Sequence, residues 1–303
     1  MKLAYILLRQ NIIMAIYMLI GYFLYKKSII TKNGSKELGK LLLYIIIPVV
    51  IIKAYIVDFS SQALCGLGIS MAAAAVCLSV SILLSRLVFK KSPIEHFGTA
   101  FSNAGFMGIP LIQAALGNAA IFYVSSFVAF LNILQWTYGV GIMTKSKEII
   151  TVKKIFMNPV VIGFVIGIAA FFLPLHMPPI LTTIISSISE MNAPLAMIIL
   201  GVYLAQLSFD EILNKKAYLC TFLRLIIIPL CSMALLSLLP SEYNTIKLTV
   251  LIAAAAPVGS NVAIFAQINN LDYTQAVKDI CISTVLCIFT IPIIVGFADL
   301  LWK

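Results

Sequence analysis

Apolar residues run through the chain in blocks of about 20, separated by short polar stretches, from one end to the other. A helix needs a run of that length to cross the hydrocarbon of a bilayer. Marking the runs predicts ten helices, near residues 4–25, 38–57, 63–89, 97–117, 119–143, 157–174, 180–207, 217–239, 246–268 and 276–301. Apolar side chains surround nearly every run rather than forming one stripe, so the helices are solvated by lipid or by each other.

Four of these runs are interrupted. Pro48 in LLLYIIIPVV is answered 146 residues later by Pro194 in EMNAPLAMII, and Pro110 in FSNAGFMGIPL is answered 147 residues later by Pro257 in AAAAPVGSNVAIFAQ. The matched offsets, in the second and fourth runs of each half, predict a five-helix repeat used twice, over 1–150 and 151–303. Because five is odd, the second copy enters the membrane the other way up. That is the inverted-repeat arrangement of many secondary transporters, whose broken helices meet near the midplane and form the site.

Composition agrees. Hydrophobic residues make up 62% of 303 and charged residues 11%, and the mean hydropathy is +1.08. This is the composition of an integral membrane protein, so any activity sits within or between the helices. The first apolar stretch, Leu3 to Tyr25, exceeds a signal-peptide core and no small-residue cleavage pattern follows it, so it is expected to be retained and the mature chain to start at Met1.

The net charge of +10 would suggest nucleic acid in a soluble protein, but here Lys and Arg gather in short loops, which is orientation information. Lys26, Lys27, Lys32, Lys36 and Lys40 follow the first run; Arg86, Lys90 and Lys91 the third; Lys145, Lys147, Lys153 and Lys154 the fifth; Lys215 and Lys216 the seventh. The positive-inside rule makes these loops cytoplasmic and leaves both termini outside. The six cysteines fall in apolar runs with no close pair and no nearby histidine, so they read as packing residues. His96 and His176 lack the partners of a metal or proton-relay site.

The breaks carry the candidate chemistry. Gly105 and Gly108 let the backbone leave helical geometry cheaply, and Pro110, after Ile109, suits the first turn of a restarted helix. Such an end offers unpaired N–H groups and about +0.5 of dipole charge to an anion. Pro257, Gly259, Ser260 and Asn261 are expected to do the same from the opposite side, with Asn103 and Asn261 adding donors and acceptors around one small acidic solute. Glycine and proline are also common in membrane helices, and asparagines can simply cap freed carbonyls. A break in both halves favours the site.

These residues also carry a family resemblance. NAGFMGIPL after FS, the matching APVGSNVAIFAQ, NPVVIGFVIG at the sixth run and APLAMIILG in the seventh resemble the auxin efflux carrier family of permeases, in order along the whole chain. The resemblance implies a scaffold of helices 1, 2, 6 and 7, and a mobile transport unit of helices 3–5 and 8–10. It further implies a crossover of helices 4 and 9 that binds an organic carboxylate, in a homodimer that moves by an elevator-like step. Asn103 stands where plant members have an asparagine that contacts the substrate carboxylate. The chain lacks the large hydrophilic loop of plant members between helices 5 and 6, and has Asn261-Val262 where they place a second proline. Malate, malonate and similar acids, associated with bacterial members, are therefore the better substrate analogy than auxin.

Among the remaining polar residues, Arg224 is expected about 12 Å into the eighth helix, either offsetting substrate charge or snorkelling to the headgroups. Glu190, with Asn192 beside it, is the only acid well inside a predicted helix and so the leading candidate to couple transport to H⁺ or Na⁺; a carboxyl facing the outer vestibule, or bonded to backbone freed by Pro194, is the other reading. Lys278 and Asp279 are expected at the cytoplasmic surface. Gln135, Asn132, Ser283 and Thr284 are positioned to line the crossover, with Tyr44 and Pro48 as the scaffold's side of the pocket. No cofactor is expected. No nucleophile with a base, paired acids on one membrane face or metal motif points to an enzyme. A channel or passive pore would need a continuous polar lining that the two breaks do not provide.

Overall fold

A computed structural model describes residues 2–144, 157–173, 177–207 and 214–303. Lys145, Lys147, Lys153, Lys154 and His176 lie outside the described residues. The described chain is all-α. Its helices are α1 (Lys2–Lys26), α2 (Lys32–Tyr55), α3 (Ser61–Phe89), α4 (Pro93–Ala100), α5 (Ala104–Leu116) and α6 (Ala119–Thr144). They continue with α7 (Pro159–Phe172), α8 (Pro179–Leu204, stepped at Met191), α9 (Lys215–Leu236), α10 (Asn244–Ala255), α11 (Asn261–Ile268) and α12 (Tyr273–Leu301). Among the described residues, seven of these, α1, α2, α3, α6, α8, α9 and α12, are long and apolar enough to cross a membrane.

Polar caps set several helix starts. Thr31, Ser60, Asn158, Asn214 and Asp272 each turn a side-chain oxygen to a backbone N–H of the first turn, at 2.8–3.1 Å. Each satisfies one of the donors that every helix start leaves unpaired.

Three helices share one internal device. A five-residue π-helical turn is followed by Ile-Pro at Ile47–Pro48, Ile109–Pro110 and Ile228–Pro229. Proline has no N–H and its ring crowds the carbonyl four residues back, so the wider turn absorbs the misfit without ending the helix. The helix thus restarts at Ala104, not at Pro110 as the sequence predicts; Pro110 sits in the turn that follows the π-helical one.

The closest helix contacts run through glycine. α1 meets the second half of α8 with Gly21 against the Ile198 carbonyl and Gly201 against the Met18 carbonyl. α7 meets α2 where a side chain at Gly163 would come 2.8 Å from the Pro48 Cα. Backbones approach this closely in lipid because van der Waals packing, rather than a hydrophobic effect, holds such helices together.

Candidate functional site

The ends of α4 and α10 run antiparallel through the protein interior and pair across it. Ser102 faces Val258, with Asn103 N–H donating to the Pro257 carbonyl at 2.8 Å and Gly259 N–H to the Phe101 carbonyl at 3.0 Å. Val258 N–H donates to Ser283 Oγ of α12 at 3.1 Å. Each extended segment therefore supplies the partners that the other loses by leaving the helix, which is what non-helical backbone at this depth requires. Gly259 is needed for the approach: a Cβ there would sit 3.1 Å from both the Phe101 and Ser102 oxygens.

The crossing sorts helix ends by sign. α4 and α10 end on one side of it, and there Arg224, fully buried in α9, donates through Nη1 to the Thr99 carbonyl at 3.0 Å and through Nη2 to the Ala254 carbonyl. One guanidinium thus neutralises the partly negative C-terminal ends of both broken helices. Arg224 therefore neither snorkels to the headgroups nor lines the cavity where a solute would sit; it ties the two breaks together.

On the other side, α5 and α11 begin, and their first residues surround a cavity of about 20 Å³. Ser102, Asn103, Gly105, Gly259, Ser260 and Asn261 line it, with Asn132 and Gln135 of α6, and Leu43 and Ile47 of α2 close it. Asn261 Nδ2 donates to Gln135 Oε1 at 2.7 Å. Asn103 Nδ2 and Ser102 Oγ are buried there without a partner. Two helix N-termini and two unused side-chain donors converge on a space that holds one water molecule.

Family comparison follows the same geometry. The family described as membrane transport protein matches residues 8–156 and 147–295. The chain belongs to this family, the auxin efflux carriers. A relative from Rhizobium meliloti (strain 1021), named "Putative malonate transporter", is 26% identical over 227 residues, covering 72% of this chain and 70% of that one. The protein is accordingly a multi-pass membrane transporter of the auxin efflux carrier family.

The remaining predicted site residues divide by position. Gly108 and Ile109 are buried on α5 just beyond the cavity, and Pro257 supplies a crossing carbonyl. Ile109 and Pro110 instead line a separate cavity of about 350 Å³, with Lys53, Gln113, Asn118, Glu190 and Asn192. Glu190 is exposed there, at the end of the first half of α8. Tyr44 is 59% exposed, so it is not part of a pocket; the π-helical turn of α2 rotates it outward and presents Leu43 and Ile47 instead. Pro48 packs on Gly163 of α7.

Two residues gain roles that the sequence did not show. The π register at Ala104–Gly108 would hand the Gly105 carbonyl to the N–H of residue 110, which proline lacks; Asn192 Nδ2 of α8 donates to that carbonyl at 3.3 Å. Asn11 of α1 does the same at Pro292, donating to the Ile288 carbonyl at 3.0 Å. Replacing Asn192 with leucine is expected to lower stability by about 1–3 kcal/mol, the cost of a buried acceptor left unmade. Thermal unfolding in detergent measures it. Adding Pro110→Ala, which restores an N–H, is expected to shrink the loss, and an equal loss in both backgrounds would refute this account.

The third difference is Asp279, expected at the surface and found fully buried. α12 begins at Tyr273, so Asp279 lies nearly two turns inside it, where α4 and α9 pack over it. Glu95, in the first turn of α4, is also buried, and α4 packs against α12.

Proposed function

We propose that the protein is a secondary transporter that moves a small organic anion, a mono- or dicarboxylate such as malonate or malate, across the cytoplasmic membrane. The observation that carries this reading is the pairing of two helix N-termini, at Ala104 and Asn261, with the unpartnered Asn103 Nδ2 and Ser102 Oγ around one buried cavity. Oriented N–H groups, dipole ends and uncommitted donors attract a carboxylate, and Asn132 Oδ1 is the unpartnered acceptor on the same cavity. A relative named for malonate agrees in substrate class.

In this reading the helices form ten crossings as two inverted five-helix repeats, with α4–α5 and α10–α11 as the broken fourth and ninth. The glycine-welded pairs α1–α8 and α2–α7 form the scaffold, and the crossing moves against Leu43 and Ile47 in an elevator-like step within a homodimer. The cavity at about 20 Å³ then belongs to a closed crossover. Lys and Arg placement puts both termini outside, and H⁺ or Na⁺ drives the step.

Proteoliposome uptake of labelled malonate, with Na⁺ and pH gradients imposed separately, tests this. Asn103→Ala removes a hydrogen bond to a charged group and is expected to weaken malonate binding about 10- to 100-fold. If no carboxylate in a broad panel enters liposomes or raises the melting temperature, the anion site is wrong.

A further inference from the structure

Resting on the transport reading, the structure assigns a second functional residue: we propose that Asp279 binds the proton coupled to transport and holds it while the crossover is closed. Its carboxyl is fully buried, and no lysine, arginine or histidine lies within ion-pair distance among the described residues. Oδ1 accepts from Gln275 Nε2 at 3.0 Å, while Oδ2 is buried without a partner. A carboxylate there would be a buried charge with half of its hydrogen bonding unmet, whereas the neutral acid carries its proton on Oδ2 and needs no counter-ion.

The groups around it are acids, a thiol and an amide, with no cation among them. From α4, Glu95 faces Asp279, and a Cβ at Gly98 would lie 3.7 Å from Oδ2. From α9, Cys220 faces it, itself bonded to Thr99 Oγ1 at 3.1 Å. Arg224 acts on Cys220 from the same helix, but its guanidinium is spent on the Thr99 and Ala254 carbonyls. From its own helix start, Asp272 adds another carboxylate. The charged side chain on α10, Lys247, lies 4.8 Å from the Trp302 ring at the far end, and α11 has no charged residue. A negative charge at Asp279 would also stand near the negative ends of α4 and α10.

The carboxyl is tied to both the surface and the crossing. Gln275 Oε1 accepts from Asn214 Nδ2 at 2.8 Å, and Asn214 is the half-exposed cap of α9. One turn further into α12, Ser283 Oγ sits 2.6 Å from the Asp279 carbonyl and accepts the Val258 N–H of the crossing. Losing the proton thus places a charge one helical turn from the paired strands. In the transport step the Oδ2–H bond breaks when the moving unit, which carries α4, α9 and α12 together, exposes the carboxyl to water, and the proton leaves with the solvent on that side.

Infrared difference spectroscopy and transport together test this, because the first needs no substrate. The wild-type protein at neutral pH is expected to show a protonated-carboxyl stretch that shifts in D₂O and is missing in Asp279→Asn. Asparagine copies the neutral acid, so Asp279→Asn should fold with an undiminished melting temperature and keep malonate counterflow. It should lose the accumulation driven by a pH gradient, which for one proton per malonate at zero membrane potential reaches about tenfold per pH unit in wild type. A band that persists in Asp279→Asn, a variant that fails to fold, or one that still accumulates malonate along a pH gradient overturns the assignment. Absence of counterflow in wild type would instead sink the transport reading, with the infrared band still deciding where the proton sits.

Discussion

Replacing Arg224 with methionine is expected to yield little or no monodisperse protein. The side chain is of similar length and apolar, so the change fills the space but leaves the Thr99 and Ala254 carbonyls unpaired in the interior. Each buried acceptor so orphaned costs about 1–3 kcal/mol, and a whole domain has only about 5–15 kcal/mol of stability to lose. Two helix C-termini would also face each other without a positive charge between them. Arg224→Lys is expected to recover part of the loss, because one ammonium reaches one of the two ends but lacks the planar fork that bridges both. Size-exclusion chromatography of the solubilised variants and their melting temperatures give the ranking. Wild-type-like behaviour of the methionine variant would mean that the crossing holds without its clamp.

Gly259→Ala is expected to abolish transport while leaving the protein inserted and partly folded. Its Cβ would meet two backbone oxygens at 3.1 Å, and neither can swing away as a side-chain end could. Relief requires the strands to part, weakening the Gly259–Phe101 and Asn103–Pro257 hydrogen bonds and displacing Asn103 from the cavity. Overpacking of this kind costs about 1–3 kcal/mol, but the functional loss should exceed it because the donors must converge within about an ångström. Gly105→Ala is the matched control: its Cβ would meet only side-chain ends, Ile47 Cδ1 at 3.4 Å and Val128 Cγ1 at 3.9 Å. Similar transport in the two alanine variants would mean that strand spacing does not govern the site.

These residues show what could be read in advance. The apolar runs end at polar caps, so the helices are written in composition, and a glycine- and proline-rich break in an apolar run announces itself. The position of Asn103 at the crossing was legible because it stands inside the glycine- and proline-rich break. The partners of the polar side chains were not. Arg224 and Asn192 bind backbone carbonyls, which carry no residue identity, and the carbonyl that Asn192 covers is free only because of a π register invisible in FMGIP. Pro110 and Pro257 matched as letters, yet the segments that pair are Phe101–Asn103 and Pro257–Gly259. Asp279 looked superficial because its burial is made by α4 and α9, more than forty residues away in sequence.

The tightness of the crossing has a consequence for the cell as well as for the solute. A membrane that stores a voltage and a pH difference discharges through any continuous file of water, and a transporter at rest must be an insulator. Leu43 and Ile47 press on a space for a single water molecule, and the backbone there is already bonded to itself. No second water can join the first, so protons and ions have no wire to follow while the site is closed.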